Sequence, residues 1–411
     1  MTNKNKIPDI RFKGFTNDWE EKKIGSLGEI ITGSTPQTND KSNYNGNYLF
    51  VSPADIQNNR YIKRTITTLS EKGFNKSRIL EKDSTLFVSI GSTIGKIAQL
   101  KERATTNQQI NAIISNSEYD NNFIFSLIEN KSTKIKKLAA TQAVPIINKS
   151  NFCNIDVTTS LDKTEQSKIG SYFQELDKLI SQKQAKYEKL QKLKKAMLEK
   201  MFPKNGSDVP EIRFKGFDGS WERKKLGEVG TTQSGIGFPD KEQEGKRGIP
   251  FFKVSDMNNI GNEHIMTNSN NYVTNEQISR MSWKLINQVP AIIFAKVGAA
   301  IMLNRKRLVH SPFLIDNNSM AYIFDHTWNK NFGKIVFETI NLPKYAQTGA
   351  LPSYNGSDIE NILISRPTNG INEQAKIGNY FRNLEKLITL NQKELEKLKT
   401  IKKACLEKMF V

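Results

Sequence analysis

Two segments of the chain, 165–202 and 373–410, place apolar side chains at steps of three and four residues. This heptad spacing gathers the apolar side chains on one narrow face of an α-helix, and Lys and Glu fill the other faces. The first segment contains no proline, and Pro203 follows it directly, where it ends a helix. The pattern predicts two long helices with these seam positions: Leu176, Ile180, Tyr187, Leu190, Met197 and Met201, interrupted by Lys183 and Lys194, and then Leu384, Ile388, Asn391, Leu395, Leu398, Lys402, Cys405 and Met409.

The two predicted helices need a partner. A helix of this length would extend over ~55 Å, and a narrow apolar seam does not stabilise such a helix alone in water. Since the chain supplies two helices in the same register, we expect them to pair with each other as an antiparallel coiled coil. Two alternatives stay open: each helix lies on its own globular domain, or the helices pair with those of a second copy of the chain.

The segments between the helices show a different pattern. Short apolar runs bounded by turn residues predict strands, and longer amphipathic stretches predict helices. The predicted strands are Tyr48–Val51, Ser84–Ile90, Ile97–Leu100, Ala112–Ser115, Ile249–Val254, Ala291–Val297, Met302–Leu303 and Met320–Phe324, and the predicted helices are Asn122–Ala140 and Phe332–Asn341.

The chain is an internal duplication. The block PDIRFKGFTNDWEEKKIG, which begins at Pro8, returns as PEIRFKGFDGSWERKKLG at Pro210. The block EQSKIGSYFQELDKLI, which begins at Glu165, returns as EQAKIGNYFRNLEKLI at Glu373. The residues between these blocks differ strongly, so one frame holds two different middles. We infer two related modules with different specificities.

These patterns together predict an α+β protein with a pseudo-twofold internal repeat. Two mixed α/β globular domains are separated by a long antiparallel two-helix coiled coil. The predicted boundaries place the first domain at 1–160, the central helix at 161–203, the second domain at 204–366 and the C-terminal helix at 367–411.

The charge balance points to a polyanionic partner. The chain contains 61 Lys and Arg against 42 Asp and Glu, a formal net charge of +19. Nucleic acid is the leading candidate for the partner of so basic a chain, and the alternative is a cationic surface that only aids solubility.

Composition also excludes several classes of protein. Two distant cysteines and three histidines without ligand spacing predict neither a disulfide framework nor a metal site. The N-terminus lacks the apolar core of a signal peptide, and the most apolar stretch, Val289–Leu303, is too short to span a bilayer. A cytoplasmic protein without membrane contact is therefore expected.

Polar loops in the two middles are the candidate readers of DNA. Asn and Gln side chains pair bidentately with adenine edges, and Arg and Lys pair with guanine. For any single loop the alternative is an ordinary polar turn, since turns are rich in Asn and Ser. The candidate DNA-binding residues are Gln57, Asn58, Asn59, Arg60, Ser92, Thr93, Lys96, Asn107, Gln108, Gln109, Lys253, Asn258, Asn259, Lys296, Asn304, Arg305, Lys306, Asn317 and Asn318.

No catalytic motif is complete. The loop from Gly91 to Lys96 resembles a phosphate-binding loop, but it has three residues between its glycines and Ile97 where Ser or Thr is required. The second copy lacks both the second glycine and the lysine. We therefore predict that the chain has no catalytic residues and no cofactor of its own.

The set of repeated motifs resembles a known family. Two diverged middles, each closed by a turn such as Val144-Pro145 or Leu351-Pro352, are followed by the EQxKIxxYF block and a Lys-rich helix that ends in LEKMF. This arrangement, over essentially the whole chain, is similar to the specificity (S) subunit of type I restriction-modification enzymes. The resemblance implies that each middle is a target recognition domain reading one half of a bipartite site in double-stranded DNA.

The resemblance also implies partners. Two modification subunits, which bind S-adenosylmethionine and methylate adenine, would dock on this chain, and restriction subunits would add an ATP- and Mg²⁺-dependent translocase and nuclease. Because a repeated surface suits two copies of one partner, we predict a subunit interface at Glu165, Gln166, Lys168, Glu373, Gln374 and Lys376. The alternative for these six residues is that they only cap and solubilise the helices. The runner-up function is a stand-alone nuclease or methyltransferase with fused recognition domains.

Overall fold

The computed structural model describes residues 6–57, 59–139, 145–204, 206–347 and 351–411, and the chain forms two compact units. Unit 1 comprises Met1–Tyr187 together with Asn391–Val411, and unit 2 comprises Glu188–Leu390. Asn58 and Val144, which the sequence analysis singled out, lie outside the described residues.

Unit 1 is built on two four-stranded sheets, ordered β2-β9-β6-β7 and β4-β3-β8-β5, and on the antiparallel pair β1-β10. The strand β9 is central to the first sheet, which explains its nearly continuous apolar sequence. The strands are β1 (Glu20–Lys23), β2 (Gly28–Thr32), β3 (Tyr44–Val51), β4 (Thr67–Leu69), β5 (Ile79–Leu80), β6 (Thr85–Val88), β7 (Ile97–Gln99), β8 (Ala104–Thr106), β9 (Ile110–Ser115) and β10 (Asp156–Thr159), and the helices are α1 (Glu71–Asn75), α2 (Asn121–Ala139), α3 (Lys149–Cys153) and α4 (Lys163–Lys200), which continues into unit 2.

Unit 2 repeats this plan with a four-stranded sheet, β12-β18-β15-β16, a three-stranded sheet, β14-β13-β17, and the antiparallel pair β11-β19. Its strands are β11 (Trp221–Lys225), β12 (Gly230–Ser234), β13 (Ile249–Phe252), β14 (Tyr272–Val273), β15 (Ala291–Ala295), β16 (Lys306–Val309), β17 (Leu314–Ile315), β18 (Ser319–Phe324) and β19 (Leu363–Pro367), and its helices are α5 (Asn275–Arg280), α6 (Lys330–Thr339), α7 (Gly356–Glu360) and α8 (Ile371–Lys408), which continues into unit 1.

The long helices α4 and α8 run antiparallel. Within unit 1, Tyr172 contacts Cys405 with 3.3 Å between Oη and Sγ. Asp177 forms an ion pair with Lys402, with 2.6 Å between Oδ1 and Nζ. As the residue numbers increase along α4, the numbers of the residues that they contact on α8 decrease. The predicted fold class, an α+β duplication with an antiparallel helix pair, is confirmed, and the alternative of two unpaired helices is wrong.

The repeated end blocks close the core of each unit. In unit 1 the Phe410 ring, from the last turn of the chain, lies 5.9 Å from Trp19 and 5.8 Å from Phe173. In unit 2 the Phe202 ring lies 5.7 Å from Trp221 and 5.8 Å from Phe332. The ending LEKMF is therefore repeated because, in each unit, its phenylalanine packs into a core that contains the tryptophan of the block beginning at Pro8 or Pro210.

One predicted strand is wrong. Met302 and Leu303 lie in a 3-10 turn, Ala299–Leu303, and both side chains are exposed. The strand is β16, which follows this turn and buries Leu308 and Val309, while Lys306 and Arg307 are half-buried. The cluster of basic residues concealed this strand, because only half of it is apolar. Among the helices of the described residues, none combines the length and the apolar character needed to cross a membrane.

Candidate nucleic-acid interface

Two loops meet at one end of the β2-β9-β6-β7 sheet in unit 1. The loop between β6 and β7 is fixed to the β8–β9 turn by the Ser89 N–H, which donates to the Gln109 carbonyl at 2.7 Å. The turn is fixed to β3 by the Asn107 N–H, which donates to the Val51 carbonyl at 3.0 Å. Side chains of Ser92 and Gln108 are exposed at this end of the sheet. The backbone is therefore rigid where the polar side chains reach solvent.

Unit 2 repeats the arrangement with other side chains. The Lys296 N–H donates to the Asn318 carbonyl at 2.7 Å, and the Asp316 N–H donates to the Phe252 carbonyl at 3.0 Å. Asn318 therefore occupies the backbone position of Gln109, and Lys296 that of Ser89. Asn317 and Asn318 are exposed.

Glycines permit the close approach of the neighbouring strand to both turns. A Cβ on Gly33 would lie 2.2 Å from the Asn107 carbonyl oxygen, and a Cβ on Gly235 would lie 1.8 Å from that of Asp316. Real Cβ atoms do not come this close to a backbone oxygen, so both positions require glycine. The same constraint in both units shows that the two loop clusters share one backbone design.

These loop clusters can form hydrogen bonds to base edges. Gln108, Asn317 and Asn318 each carry an amide donor and an amide acceptor, which is the pair of groups that matches adenine in the major groove. The Gln108 oxygen also accepts the Thr35 hydroxyl at 2.6 Å, and the Asn318 amide also donates to Asp316 at 3.4 Å. Gln57, Asn59 and Ser92 are exposed as well, and Thr93, Asn107, Gln109 and Lys296 are half-buried beside them or in the equivalent loops.

A second polar loop in unit 2 is self-supporting. The Asn259 amide donates to the side chains of Asn268 at 2.9 Å and Asn270 at 3.2 Å, and the exposed Asn258 accepts a hydrogen bond from Arg305. Lys253 donates to Gln243, and its ammonium lies 5.5 Å from the Phe238 ring, so it is engaged within unit 2. The assignment of Lys253 as a DNA-binding residue stays a prediction.

Three further predicted readers are structural. Arg60 is buried, with its guanidinium 4.2 Å from the Phe125 ring centre and 3.2 Å from Asp177. Lys306 donates to the Ile340 carbonyl at 2.6 Å, and burial lowers the pKa of Lys306 to about 8. Asn304 accepts the Leu342 N–H at 3.1 Å from a left-handed conformation with φ of 49°. Lys96 is also engaged, because its ammonium donates to the Ile56 carbonyl at 3.1 Å.

Four of the six predicted interface residues are buried, and the expectation that they are exposed is wrong. Glu165 binds Arg11 bidentately at 2.5 and 2.9 Å, and Glu373 binds Arg213 at 2.7 and 2.8 Å. Both carboxylates therefore fasten a long helix to the N-terminal block of its own unit.

The neighbouring glutamines have a structural role of the same kind. Gln166 accepts the Asp120 N–H at 2.8 Å, and Gln374 accepts the Asn329 N–H at 2.9 Å, so they hold the segments that lead into α2 and α6. Lys168 and Lys376 are exposed, with their ammonium groups 4.9 Å from the Phe15 ring and 5.0 Å from the Phe217 ring. The interface assignment of these two lysines stays a prediction.

Sequence reasoning missed a charged network in each unit. Network 1, in unit 1, comprises Arg60, Glu129, Asp177 and Lys402, and the Lys402 ammonium lies 2.5 Å from Glu129 and 2.6 Å from Asp177. Burial and the nearby Asp177 carboxylate raise the pKa of Glu129 against the pull of Lys402.

Network 2, in unit 2, comprises Lys194, His264, Lys334, Glu338 and Glu385. Lys194 lies 2.7 Å from Glu338 and 2.6 Å from Glu385, and Lys334 contacts both carboxylates as well. Burial opposes ionisation of Glu338, but the two ammonium groups outweigh it and hold the pKa of Glu338 at about 2.

Among the described residues, one cluster of a histidine and carboxylates has the spacing of a metal site, and it lies in network 2. Ligand atoms of His264, Glu338 and Glu385 all lie within 4.8 Å of one another. Each of the four carboxylate oxygens, however, already faces the ammonium of Lys194 or Lys334. Since these two cations repel a divalent ion and neutralise both carboxylates, the donor set is an ion-pair network and does not suit a metal ion.

Comparison with known proteins matches the duplicated frame. The family model of the type I restriction modification DNA specificity domain matches residues 16–192 and again residues 219–400. The specificity subunit of the type I restriction enzyme MjaIX from Methanocaldococcus jannaschii is 28% identical, with 95% of this chain and 92% of that protein covered. The MjaVIII specificity subunit of the same organism is 23% identical, with 94% and 90% covered.

Solved structures show the same fold. The S subunit of a type I restriction-modification system from M. genitalium superposes with a TM-score of 0.69 at 16% identity, covering 98% of this chain and 99% of that one. A chain from a structure of type I system assembly superposes with a TM-score of 0.50 at 15% identity, covering 95% and 97%.

Proposed function

The chain belongs to the type I restriction-modification DNA specificity family, and from this premise we propose that its two loop clusters read the two halves of one bipartite DNA site. The observation that carries this proposal is the equivalence of the clusters. The backbone hydrogen bonds of Ser89 and Asn107 in unit 1 recur at Lys296 and Asp316 in unit 2, while the exposed side chains differ. A common backbone with different donors and acceptors is suited to two half-sites of different sequence.

The specificity subunit itself is non-catalytic in this proposal. Adenine methylation belongs to modification subunits that bind S-adenosylmethionine, and cleavage belongs to restriction subunits that use ATP and Mg²⁺. The chain supplies recognition and the scaffold. Its formal charge of +19 supports association with the DNA backbone at either half-site.

Two copies of the modification subunit are proposed because one surface recurs. In unit 1, Phe12 packs edge-on against Tyr172 at 6.3 Å, and Leu179 nearby is 45% exposed. In unit 2, Phe214 packs edge-on against Tyr380 at 6.1 Å, and the equivalent leucine, Leu387, is 48% exposed.

The repeated lysines complete this surface. Lys168 and Lys376 lie beside it, each over the second phenylalanine of its N-terminal block. An apolar patch with a cationic edge suits an amphipathic partner segment with an acidic rim. Since the patch recurs while the DNA-facing loops diverge, the same partner surface fits both units.

The experiment that tests the proposed function replaces residues ~30–155 with the corresponding segment of another family member. The chimaera is assembled with modification subunits, and the methylated adenines are mapped by sequencing. We expect one half of the methylated sequence to change and the other half to stay. A change in both halves would contradict the proposal.

A finer version uses single substitutions at the two ends of β9. Gln108→Ala, in the turn before β9, should relax or alter one base preference. Ser117→Ala, an exposed position just after the other end of the same strand, is the matched control and should leave the methylated sequence unchanged. In the same preparations the purified chain without partners should transfer no methyl groups and cut no DNA.

A further inference from the structure

Unit 1 contains a cleft that the reading loops do not explain. It has a volume of about 580 Å³ and lies between α4 and three loop segments of the same unit. One wall is α4, with Gln174, Lys178, Ser181 and Gln182, and the other walls are lined by Asn59, Tyr61, Lys63, Lys82, Asp83 and Lys101.

Three lysines give this cleft its charge. Lys63, Lys82 and Lys101 are exposed, and within the described part of the chain none of them forms an ion pair. The Lys101 ammonium lies 4.9 Å from the Tyr61 ring centre, which orients it towards the cleft without neutralising it. Of the carboxylates that line the cleft, that of Asp83 has no ion pair within the described part of the chain, while those of Glu175 and Asp177 are paired.

The other charges around the cleft are balanced. Lys178 lies 3.2 Å from Glu175, and Asp177 is held by Arg60 and Lys402. The cleft therefore has a net positive charge in a concave site, where low-dielectric walls strengthen the field felt by an anion. Polar donors line it too: the Gln174 amide and the Tyr61 hydroxyl are 2.6 Å apart, and Ser181 and Asn59 are neighbours.

Unit 2 has the same backbone at this place but lacks the lysines. In unit 1 the Gln99 N–H donates to the Arg60 carbonyl at 2.7 Å, and in unit 2 the Leu308 N–H donates to the His264 carbonyl at 3.2 Å. The bridge between Tyr61 and Gln99 recurs as the bridge between Ile265 and Leu308.

This register identifies the counterparts of the lysines. Thr267 stands where Lys63 stands, Val289 where Lys82 stands and His310 where Lys101 stands. The lysines are therefore not a requirement of the fold, because the same fold forms in unit 2 without them.

We propose that this cleft binds phosphodiester groups of the DNA backbone that flanks the half-site read by unit 1, because Lys82 and Lys101 lie at the ends of β6 and β7 that are opposite to the reading loop. The inference rests on the proposed function and adds to it a site with a different task. Lysine ammonium groups act on phosphates as point charges and carry no base preference, so such contacts position the duplex and do not specify its sequence. Unit 1 thus supplies a larger share of the salt-dependent affinity than unit 2.

The test uses the complete complex, with the variant Lys63→Gln/Lys82→Gln/Lys101→Gln in place of the parent chain. Equilibrium binding is measured from low to high salt with a cognate duplex and with a duplex of equal length whose half-sites are scrambled. Each phosphate contact contributes about 0.9 to the slope of log affinity against log salt. We expect the slope to fall by up to about 2.7, by the same amount for both duplexes, while the methylated sequence stays the same.

A variant of equal charge is the control. Lys134→Gln/Lys137→Gln/Lys149→Gln removes three exposed lysines of unit 1 that do not line the cleft. Its slope should change less than that of the cleft variant. Equal slopes for the two triple variants would overturn the proposal, because net charge alone would then account for the effect.

A reciprocal variant keeps the test independent of any loss of folding. Thr267→Lys/His310→Lys places two cations at the equivalent positions of unit 2 and should increase the slope. An unchanged slope in this variant and in the cleft variant would overturn the proposal. The proposal would also be overturned if the cleft variant bound modification subunits more weakly but, once assembled with them, bound DNA with the slope of the parent complex. The cleft would then be a binding site for a protein. If the parent complex itself fails to prefer the cognate duplex, the proposed function is wrong; the slopes still decide the cleft.

Discussion

Network 1 and network 2 occupy the same place in their units and reach charge balance by different routes. In both, a glutamate from the domain helix and a carboxylate from a long helix share one lysine. The triplet is Glu129, Asp177 and Lys402 in unit 1, and Glu338, Glu385 and Lys194 in unit 2. The frame thus fixes two carboxylates and one lysine at each junction.

The second cation is where the networks differ. In unit 1 it is Arg60, which reaches Asp177 from a loop and lies over the Phe125 ring. In unit 2 the loop position holds His264, and the cation is Lys334, which stands on α6 where Phe125 stands on α2. The comparison teaches that the fold requires two cations against two carboxylates at this junction and leaves open which element supplies the second one.

The largest expected effect comes from removing the shared lysine. Lys402→Met should destabilise the protein by about 3 kcal/mol, because Glu129 loses the cation that faces it and a carboxylate stays in a poorly hydrated site. Lys194→Met should cost less, because Lys334 still contacts both carboxylates of network 2. Urea unfolding of the two variants measures the difference.

The control for this pair is Lys399→Met on the same helix as Lys402. Its side chain is 48% exposed, and its only ion pair among the described residues is with Glu396, three residues earlier. Such a surface pair contributes at most about 0.5 kcal/mol. A cost for Lys402→Met no larger than this would show that network 1 does not stabilise its junction.

A smaller effect tests a demand that both units share. A Cβ on Gly170 would lie 2.6 Å from the Phe123 backbone nitrogen, and a Cβ on Gly378 would lie 2.6 Å from that of Phe332. Gly→Ala inside a helix normally gains about 1 kcal/mol, but here each substitution should cost about 2 kcal/mol, because the start of α2 or α6 must move away.

The matched controls are the next residues along the two helices, Ser171→Ala and Asn379→Ala. Both side chains are exposed, and both variants should be neutral or slightly more stable by urea unfolding. If only one of the two glycine variants were destabilising, the two junctions would not be equivalent.

Acid should distinguish the networks by sign. The folded pKa of Glu338 is about 2, below its ordinary value, so its stabilising contribution is complete above about pH 4.5 and is lost as the pH falls towards 2. Burial raises the folded pKa of Glu129, so protonation on acidification relieves a penalty in unit 1. The cost of Glu338→Gln should therefore shrink by about 1 to 2 kcal/mol between pH 6 and pH 3, after allowance for partial exposure.

The partner variant Glu129→Gln should behave in the opposite way. Its cost should grow as the pH falls from 7 towards 4.5, because the parent chain alone gains from protonation there. Urea midpoints of both variants and the parent, measured across pH 3 to 7, give the two slopes. Slopes of the same sign would mean that the two glutamates have similar surroundings.

Much of the frame could be predicted from the sequence, because its evidence is local. The heptad seam is visible in either copy alone, and α4 and α8 have the predicted positions and direction. The strands β6, β9, β15 and β18 were found because both faces of each are largely buried and their sequences are nearly continuous apolar runs.

The site could be predicted only in part, because its evidence is not local. Arg60 resembles a reader of guanine in the sequence, but Phe125 and Asp177, which bury it, come from two other elements. Glu165 resembles an exposed helix residue until Arg11 is brought to it from the N-terminal block. In the same way, Lys63 and Lys101 line one cleft only because a loop pairs with the sheet, and no local sequence motif predicts that pairing.

The last prediction exchanges the second cation between the two routes. Lys334→Phe copies the helix position of unit 1 into unit 2 and leaves one ammonium for two carboxylates. Adding His264→Arg copies the loop position as well and restores a guanidinium that can lie over the new ring, as Arg60 does over Phe125. Since the two residues act on the same charge balance, their effects should not be additive, and the double variant should recover about 1 kcal/mol relative to the sum of the single variants.

The double-mutant cycle is measured by urea unfolding at neutral pH, where cations must balance the charge of the carboxylates of network 2. The same cycle in unit 1, Arg60→His with Phe125→Lys, is the reciprocal experiment and should show a coupling of the same sign. The surface pair Lys168 and Lys376, which also occupies equivalent positions, supplies single variants without coupling to either network. Additive effects in both cycles would show that the loop and helix cations are unrelated substitutions, and the common charge requirement inferred for the two junctions would then be wrong.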